Sequence, residues 1–393
     1  MTEDLTAFME DLNMMLEEDY SEDNINSTID LSVEYPHLVL KTEEVLKTIK
    51  IISPIINLKS NRNIPKSLTF YYNEGTYKYL ITDDVSYFNQ DINILNTDNR
   101  LAETLCIPLN ILQACSKSFG DHILIYKKEN NFYVRLTSGD LILDLVNAEE
   151  NLLKYPGLIG NEIMYTSTNT LSDALRAVLP IVQCEPTPEK KKISFVNNTM
   201  EFSTGKFLIS YAIQLPTMKI SYRTAEFLKS MCGIVESALY FYEDQENPNR
   251  VHIKCGNISY TTTVGKDNID PRISTFIDSK FKAPGIYVEY LDFNSVVTLA
   301  SSLNYATGSV LFNIQDQEDL ITTIPNTKGN SSFKVPKKHN TNMYEENNNK
   351  VEVLSRSLKK LLSSFPADDL YIVLNADSVA IKSGAIRGVL LKW

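Results

Sequence analysis

Lysine and arginine side chains recur on the polar faces of amphipathic helices that the sequence predicts. In the segment 355–365, Arg356, Lys359 and Lys360 follow i, i+3, i+4 spacing beside a face of leucines. Cations in register along a helix can bind a phosphate backbone without reading bases. Taken singly such residues are ordinary solvated charges, and their recurrence in five of six predicted helices favours phosphate binding. The candidate phosphate-binding set is Lys47, Lys50, Arg62, Lys117, Arg176, Lys191, Lys192, Arg223, Lys229, Arg356, Lys359 and Lys360.

Motifs for catalysis or metal binding are missing from the sequence. The stretch FSTGKF at 202–207 contains Gly-Lys but lacks the earlier glycine of a phosphate-binding loop, and neither GxSxG nor HExxH occurs. The four histidines are far apart, and none of the five cysteines sits in CxxC spacing, so a zinc site would need scattered ligands. We therefore predict that the protein is not an enzyme and holds no cofactor and no metal.

Length and composition indicate a globular protein of several domains. A chain of 393 residues has room for two or three domains, and 43% hydrophobic with 22% charged residues is typical of folded chains. No apolar run approaches the length of a membrane span, and the N-terminus lacks the features of a signal peptide. These observations predict a reduced cytoplasmic protein with no membrane partner.

The net charge of −11 belongs to an N-terminal arm. Residues 1–40 contain eleven of the 49 acidic residues and no lysine or arginine, which leaves the remaining chain neutral overall. Within 1–30, apolar residues from Leu5 to Leu16 recur at helical spacing, and a polar linker follows. The arm is interpreted as a solvated tail or as a helix that docks on a partner or on the protein's own body.

The chain contains a domain-sized internal repeat. In each of three copies a helix is followed by short β-runs, a second helix and three further β-runs. Hairpin-linked strands with two helices on one face predict an α+β fold built on antiparallel sheets. Pro/Gly breaks near 155–158 and 281–285 place the domains at 31–157, 158–281 and 282–393, after the arm at 1–30.

This ordered repeat resembles the bacterial-type DNA sliding clamp, the beta subunit of the replicative polymerase, over about 31–393. The segments that carry the likeness are 106–156 in the first copy, SDALRAVLPIV at 172–182 with STGKFL at 203–208 in the second, and the terminal GVLLKW at 388–393. The resemblance implies three clamp domains per chain, closing as a head-to-tail homodimeric ring around duplex DNA. Its implied partners are double-stranded DNA of any sequence, a DNA polymerase and a clamp loader.

The resemblance also assigns two protein-contact surfaces. A groove for an apolar partner peptide is expected at Ile193, Gly205, Phe207, Leu208, Val389, Leu391 and Trp393. The joint between subunits is expected at the edge strand Leu141–Val146, through Leu141, Leu143 and Leu145, and at Leu299 and Leu303. Val389 and Leu391 have a second interpretation, as the end of a core strand.

Departures from the family pattern leave alternatives open. The stretch 203–208 lacks the acidic, His and Arg positions of the family, and the chain's end lacks its proline. With a composition rich in Asn, Lys, Ile and Tyr, this divergence suggests a virus-encoded clamp acting in a bacterial host. A clamp-fold coactivator that tethers RNA polymerase is the alternative, as is a non-ring interaction protein, which would be monomeric.

Overall fold

The computed structural model of the protein describes residues 33–392, apart from 57–65, 84, 97–98, 119–120, 137–138, 147–151, 153–154, 159, 267–271, 304–307, 316–318, 327–328 and 339–349. The predicted acidic arm lies outside the described residues. By its internal contacts the chain divides into two compact units. Unit 1 comprises Met1–Glu162 with Leu239–Thr263, and unit 2 comprises Ile163–Ala238 with Val264–Trp393.

The first repeat packs two helices against each other beside its strands. Its first helix buries Val45, Ile49 and Ile52, which share one face at helical spacing. In order, the elements are β1 (His37–Lys41), α1 (Thr42–Ile52), β2 (Ser67–Asn73), β3 (Thr76–Thr82), β4 (Tyr87–Ile92), β5 (Leu105–Pro108), α2 (Leu109–Ser118), β6 (His122–Lys128), β7 (Asn131–Leu136) and β8 (Gly139–Ile142).

Serine caps begin both helices of the second repeat. The hydroxyls of Ser167 and Ser221 accept hydrogen bonds at 3.1 Å from the backbone N–H groups of Thr170 and Thr224. The elements are β9 (Gly160–Ser167), α3 (Thr168–Gln183), β10 (Lys192–Val196), β11 (Thr199–Ser203), β12 (Phe207–Ala212), β13 (Met218–Ser221), α4 (Tyr222–Cys232), β14 (Ala238–Asp244), β15 (Arg250–Cys255) and β16 (Ile258–Thr263). Helix α5 (Arg272–Ser279) follows this repeat.

The third repeat brings its second helix close to the last strand at Gly388. A Cβ at this position would lie 2.8 Å from Leu361 Cδ1, so glycine permits the approach. The elements are β17 (Ile286–Val288), α6 (Tyr290–Leu303), β18 (Ser309–Gln315), β19 (Asp319–Asn326), β20 (Gly329–Pro336), β21 (Lys350–Leu354), α7 (Ser355–Leu362), β22 (Leu370–Asn375), β23 (Ser378–Ser383) and β24 (Ile386–Leu391).

The same order of ten elements, βαββββαβββ, therefore occurs three times, which confirms the predicted α+β class and its repeat. In unit 1 the strand orders are β1-β6-β7-β8 and β5-β2-β3-β4-β16-β15-β14-β9, and the chain enters unit 2 within β9. In unit 2 they are β13-β10-β11-β12-β24-β23-β22-β17 and β20-β19-β18-β21. The pairs that these strands form are antiparallel throughout the described residues.

Two features differ from the sequence predictions. The strand predicted over 141–146 is wrong in its bounds, since β8 ends at Ile142. Beyond it the Val146 N–H donates to the Cys106 carbonyl at 3.0 Å, so the chain leaves the β7 partner although its alternating pattern continues. The other difference is α5, a helix that the sequence reasoning missed.

Candidate functional site

Cations from two repeats meet at the end of α3, inside unit 2. Lys191 and Lys360 both lie close enough to the Cys184 thiol for their charges to lower its pKa. Burial raises the pKa of Cys184, and the two ammonium groups oppose that shift. Lys191 Nζ also lies 5.4 Å from the centre of the Tyr222 ring. Two of the predicted phosphate-binding residues thus lie together.

The positions of α3, α4 and α7 follow from their apolar faces. Helix α3 packs against both α4 and α7, and the Tyr222 N–H donates to the Lys191 carbonyl at 2.9 Å. Gln183 Nε2 donates to the Tyr222 hydroxyl at 3.0 Å. Leu358, Leu361 and Leu362 of α7 are fully buried on one face of the helix. The basic residues lie on its other face and are exposed to solvent.

The other predicted cations of unit 2 differ in environment. Arg176 is exposed, with Nη1 3.9 Å from Asp173 Oδ1 on the same helix. Lys229 is half-buried on α4. The remaining members of the set in this unit are exposed: Lys192, Arg223, Arg356, Lys359 and Lys360.

Unit 1 contains four of the predicted cations, and the side chains of two of them are described. Lys47 Nζ lies 2.5 Å from Glu43 Oε1, and this contact lowers the pKa of Glu43. Lys50 is half-buried at the end of α1. Lys117 belongs to α2, but its side chain lies outside the described part of the chain, as does all of Arg62.

The predicted groove residues divide between the two faces of the large unit 2 sheet. Leu208 pairs with Val389 across β12 and β24, and both pack with Leu391 in one apolar cluster. Side chains alternate along a strand, so Ile193 and Phe207 lie on the opposite face, and both are buried. Gly205 is exposed in the turn before β12, and Trp393 lies outside the described residues.

Helix α5 covers the groove face of this sheet. Ile277 packs into the apolar cluster with Val373 and Ala380. Ser274 donates a hydrogen bond to Glu201 on β11, and Asp278 forms an ion pair with Arg387 on β24. The signal that could have found this helix is the spacing of Ile273 and Ile277 in RISTFIDS.

Two surfaces carry the predicted subunit-interface residues. Leu141 is 42% exposed on β8, which is an edge strand, and its neighbour Ile142 is 60% exposed. Leu143 is 6% exposed, which places it in its own unit's core, and Leu145 is half-buried. On α6, Leu299 and Leu303 are 37% and 50% exposed. The sequence reasoning missed Ile142 and also Leu291, which is 66% exposed on α6.

A buried Asp–His–Thr chain has the appearance of a catalytic relay. His252 Nε2 lies 3.0 Å from Asp244 Oδ2, and its Nδ1 lies 2.8 Å from Thr261 Oγ1. His252 is fully buried and Thr261 is 2% exposed, so no substrate reaches this hydroxyl. These two hydrogen bonds instead link β14, β15 and β16.

The described part of the chain contains no cluster of three or more His, Cys, Asp or Glu side chains placed to hold a metal ion. All five cysteines are present as thiols. Among the same described residues, no helix has both the length and the hydropathy to cross a bilayer.

The comparisons with known proteins give one kind of match. No family model and no curated protein sequence matches the chain. Among solved structures, the sliding clamp (DNA polymerase III subunit beta) of Bartonella birtlesii, bound to griselimycin, superposes with a TM-score of 0.75 at 14% identity, covering 91% of this chain and 99% of that one. The fold is that of the bacterial sliding clamp.

Two further sliding clamps cover the same shares of each chain. The DNA polymerase III beta subunit of Thermotoga maritima gives a TM-score of 0.71 at 12% identity, and the sliding clamp of Bacillus subtilis gives 0.73 at 11%. At this identity the clamp fold is what the match establishes.

Proposed function

We propose that this protein is a DNA sliding clamp, a processivity factor that encircles duplex DNA and tethers a replicative DNA polymerase. The observation that carries the proposal is the fold match, which covers 99% of each clamp chain rather than one domain of it. The basic faces of α3, α4 and α7 supply sequence-independent phosphate contacts. Because a clamp acts by enclosure, the proposal requires neither a catalytic residue nor a cofactor.

The proposed ring joins two chains head to tail. Strand β8 is one edge of the four-stranded sheet in unit 1, and β20 is one edge of the four-stranded sheet in unit 2. An edge strand can pair with a strand of a partner copy. Exposed Leu141 and Ile142 lie on the first edge, and Leu299 and Leu303 lie on α6 of the third repeat. A heterologous joint of this kind closes when the rotation between copies permits.

The proposed setting is a bacterial cell. The solved clamps named above are bacterial, and the composition rich in Asn, Lys, Ile and Tyr supports a viral gene acting in the host cytoplasm. A clamp loader that opens the ring and a DNA polymerase that binds it are the proposed partners.

Sizing of the purified protein tests the proposed assembly. We expect light scattering at micromolar concentration to give a mass twice the chain mass of 44.6 kDa, and electron micrographs to show rings with a central hole. Because the ring is held by two apolar joints, its mass should be insensitive to 0.5 M salt. A monomer of 44.6 kDa at micromolar concentration contradicts the ring.

The proposed partner site is the apolar face formed by Leu208, Val389 and Leu391, beside the turn at Gly205. Short partner peptides bind through a few apolar anchors in such pockets. Val389 is fully buried between β12 and β23, so it also completes the sheet core. Leu391 is half-buried at the end of β24 and is the member best placed to meet a partner.

Replacing Leu391 with aspartate is expected to abolish polymerase binding while the chain stays folded. A carboxylate at a half-buried anchor position removes an apolar contact and resists desolvation, which costs a hot-spot interaction about 2 kcal/mol or more, roughly 30-fold in Kd. Surface plasmon resonance against the polymerase encoded in the same genome measures this change. Val85→Asp, at a residue 58% exposed in unit 1, is the control. Unchanged affinity of Leu391→Asp places the partner site elsewhere.

A further inference from the structure

Helix α5 is held on the sheet by both apolar and polar contacts, and Ile273 and Phe281 are partly buried against the same apolar cluster as Ile277. Of its eight residues, all of which the structure describes, Ile277 is the one that is buried. Ser274 donates to Glu201, Asp278 pairs with Arg387, and just beyond the helix Lys280 Nζ lies 2.5 Å from Asp377 Oδ2. A short helix with a single fully buried side chain opens more easily than the core strands beneath it.

Glu201 differs from the other two acidic groups because it is fully buried. Its Oε1 accepts hydrogen bonds from Ser274 and, at 2.6 Å, from Thr199. Its Oε2 is buried with no hydrogen-bond partner among the described residues, and so is the hydroxyl of Ser210, which stands opposite on β12. A carboxylate with one oxygen unsatisfied is costly to bury when ionised and much less so when protonated.

We propose that Glu201 is a proton-operated latch for α5: protonated, it holds the helix over the apolar face of Leu208 and Val389, and ionised, it releases the helix and opens that face to an apolar partner. The latch is a property of the chain itself. Its effect on partner binding rests on the proposed function, because it assumes that this face is the polymerase site.

Glu201 and the ion pair of Asp377 respond to pH in different ranges. Burial raises the pKa of Glu201 and outweighs the hydrogen bonds from Ser274 and Thr199, which lower it. The charge of Arg387 on β24 also lowers this pKa, and Asp278 on α5 raises it. A hydrogen bond from Lys280 lowers the pKa of Asp377. The Lys280–Asp377 ion pair therefore loosens only as the pH falls below the ordinary carboxyl range. Loss of the Glu201 proton loosens α5 as the pH rises, so the two effects have opposite signs.

The direction in which pH changes the docking of α5 follows from proton linkage. The docked state, in which the pKa of Glu201 is raised, binds its proton more tightly than the released state. Docking is therefore fully favoured below the ordinary carboxyl pKa and weakens as the pH rises through the raised pKa. In that window the docking equilibrium falls by about tenfold per pH unit, the slope of one linked proton.

Hydrogen exchange of the intact protein tests the latch without a partner. We expect protection factors over 272–281, corrected for intrinsic exchange, to fall between pH 5 and pH 8, while those of α4 change little. Glu201→Gln, which stays neutral, should abolish this pH dependence and keep the protection. Ser274→Ala should lower protection at pH 5, and the matched control Ser279→Ala should not, because the Ser279 hydroxyl donates only to Phe276 of its own helix.

Two outcomes of the exchange experiment overturn the latch. One is protection over 272–281 that does not depend on pH in the parent, and the other is a pH dependence that persists in Glu201→Gln. Binding of the polymerase by the parent and by Glu201→Gln at pH 8 then tests the link to function, with weaker binding by the variant expected. Equal binding by the two, together with loss of binding in Leu391→Asp, keeps the partner site and refutes the link. Retained binding in Leu391→Asp refutes the partner site and leaves the exchange result standing.

Discussion

Replacing Leu299 and Leu303 with aspartate is expected to convert the two-chain ring into single chains. Both residues are substantially exposed on α6 of the isolated chain, at 37% and 50%. The exposed part of each side chain loses about 0.5–1.5 kcal/mol of apolar burial at the proposed joint, so the pair weakens each joint by about 10-fold or more in Kd. Sedimentation velocity across a concentration series measures the shift from two chains to one, and retention on circular DNA should be lost with it.

A pair of equally exposed leucines provides the control for this experiment. Leu95 and Leu158 are each 40% exposed and lie outside the proposed joint. Their double aspartate variant introduces the same charge, and substitutions at exposed sites usually change stability by less than about 0.5 kcal/mol. The proposed joint is contradicted if the Leu299 and Leu303 variant stays a dimer, or if the control dissociates equally.

The threefold order of elements could be predicted because its signals are local. Apolar residues at helical spacing mark Thr42–Ile52 over the same residues in the sequence and in the structure. Alternating β-branched and aromatic residues mark the strands between turns. Helix α5 gave too weak a signal, since eight residues with a single buried side chain look like the linker that the Pro/Gly breaks predict.

The site was harder to predict, because the face on which a residue lies depends on strand register. Ile193 and Phe207 were assigned by resemblance along the chain, and the pleat turns them away from Leu208 and Val389. The exposure of a side chain also depends on the fold, since Leu143 is buried while adjacent Ile142 is 60% exposed. The burial of Glu201 could not be predicted from the sequence, because it depends on α5 covering this position of β11.

Reversing the charge of Arg356, Lys359 and Lys360 together is expected to weaken loading onto DNA without unfolding the protein. The three side chains are exposed on α7, whose leucines hold the helix on its sheet from the other face. A ring of two chains would carry six reversed charges where it meets phosphates. Each phosphate contact contributes about 0.9 to the slope of log K against log salt, so the parent's salt dependence should flatten in the variant. Equilibrium binding to linear duplex DNA, measured from 50 to 300 mM salt, gives both the affinity and the salt slope.

The control for charge alone is the triple reversal of Lys128, Lys254 and Lys350, which are exposed on strands rather than on the proposed DNA-facing helices. It changes the net charge by the same amount. If binding were driven by overall charge, both variants would lose DNA equally, and the assignment of the helix face would be wrong. If the phosphates lie against α7, the strand variant keeps the parent's salt slope and product length in primer extension, and the helix variant loses both. The contrast is sharp because the body of the chain is neutral overall, so general attraction to DNA does not mask the contribution of an ordered row of cations.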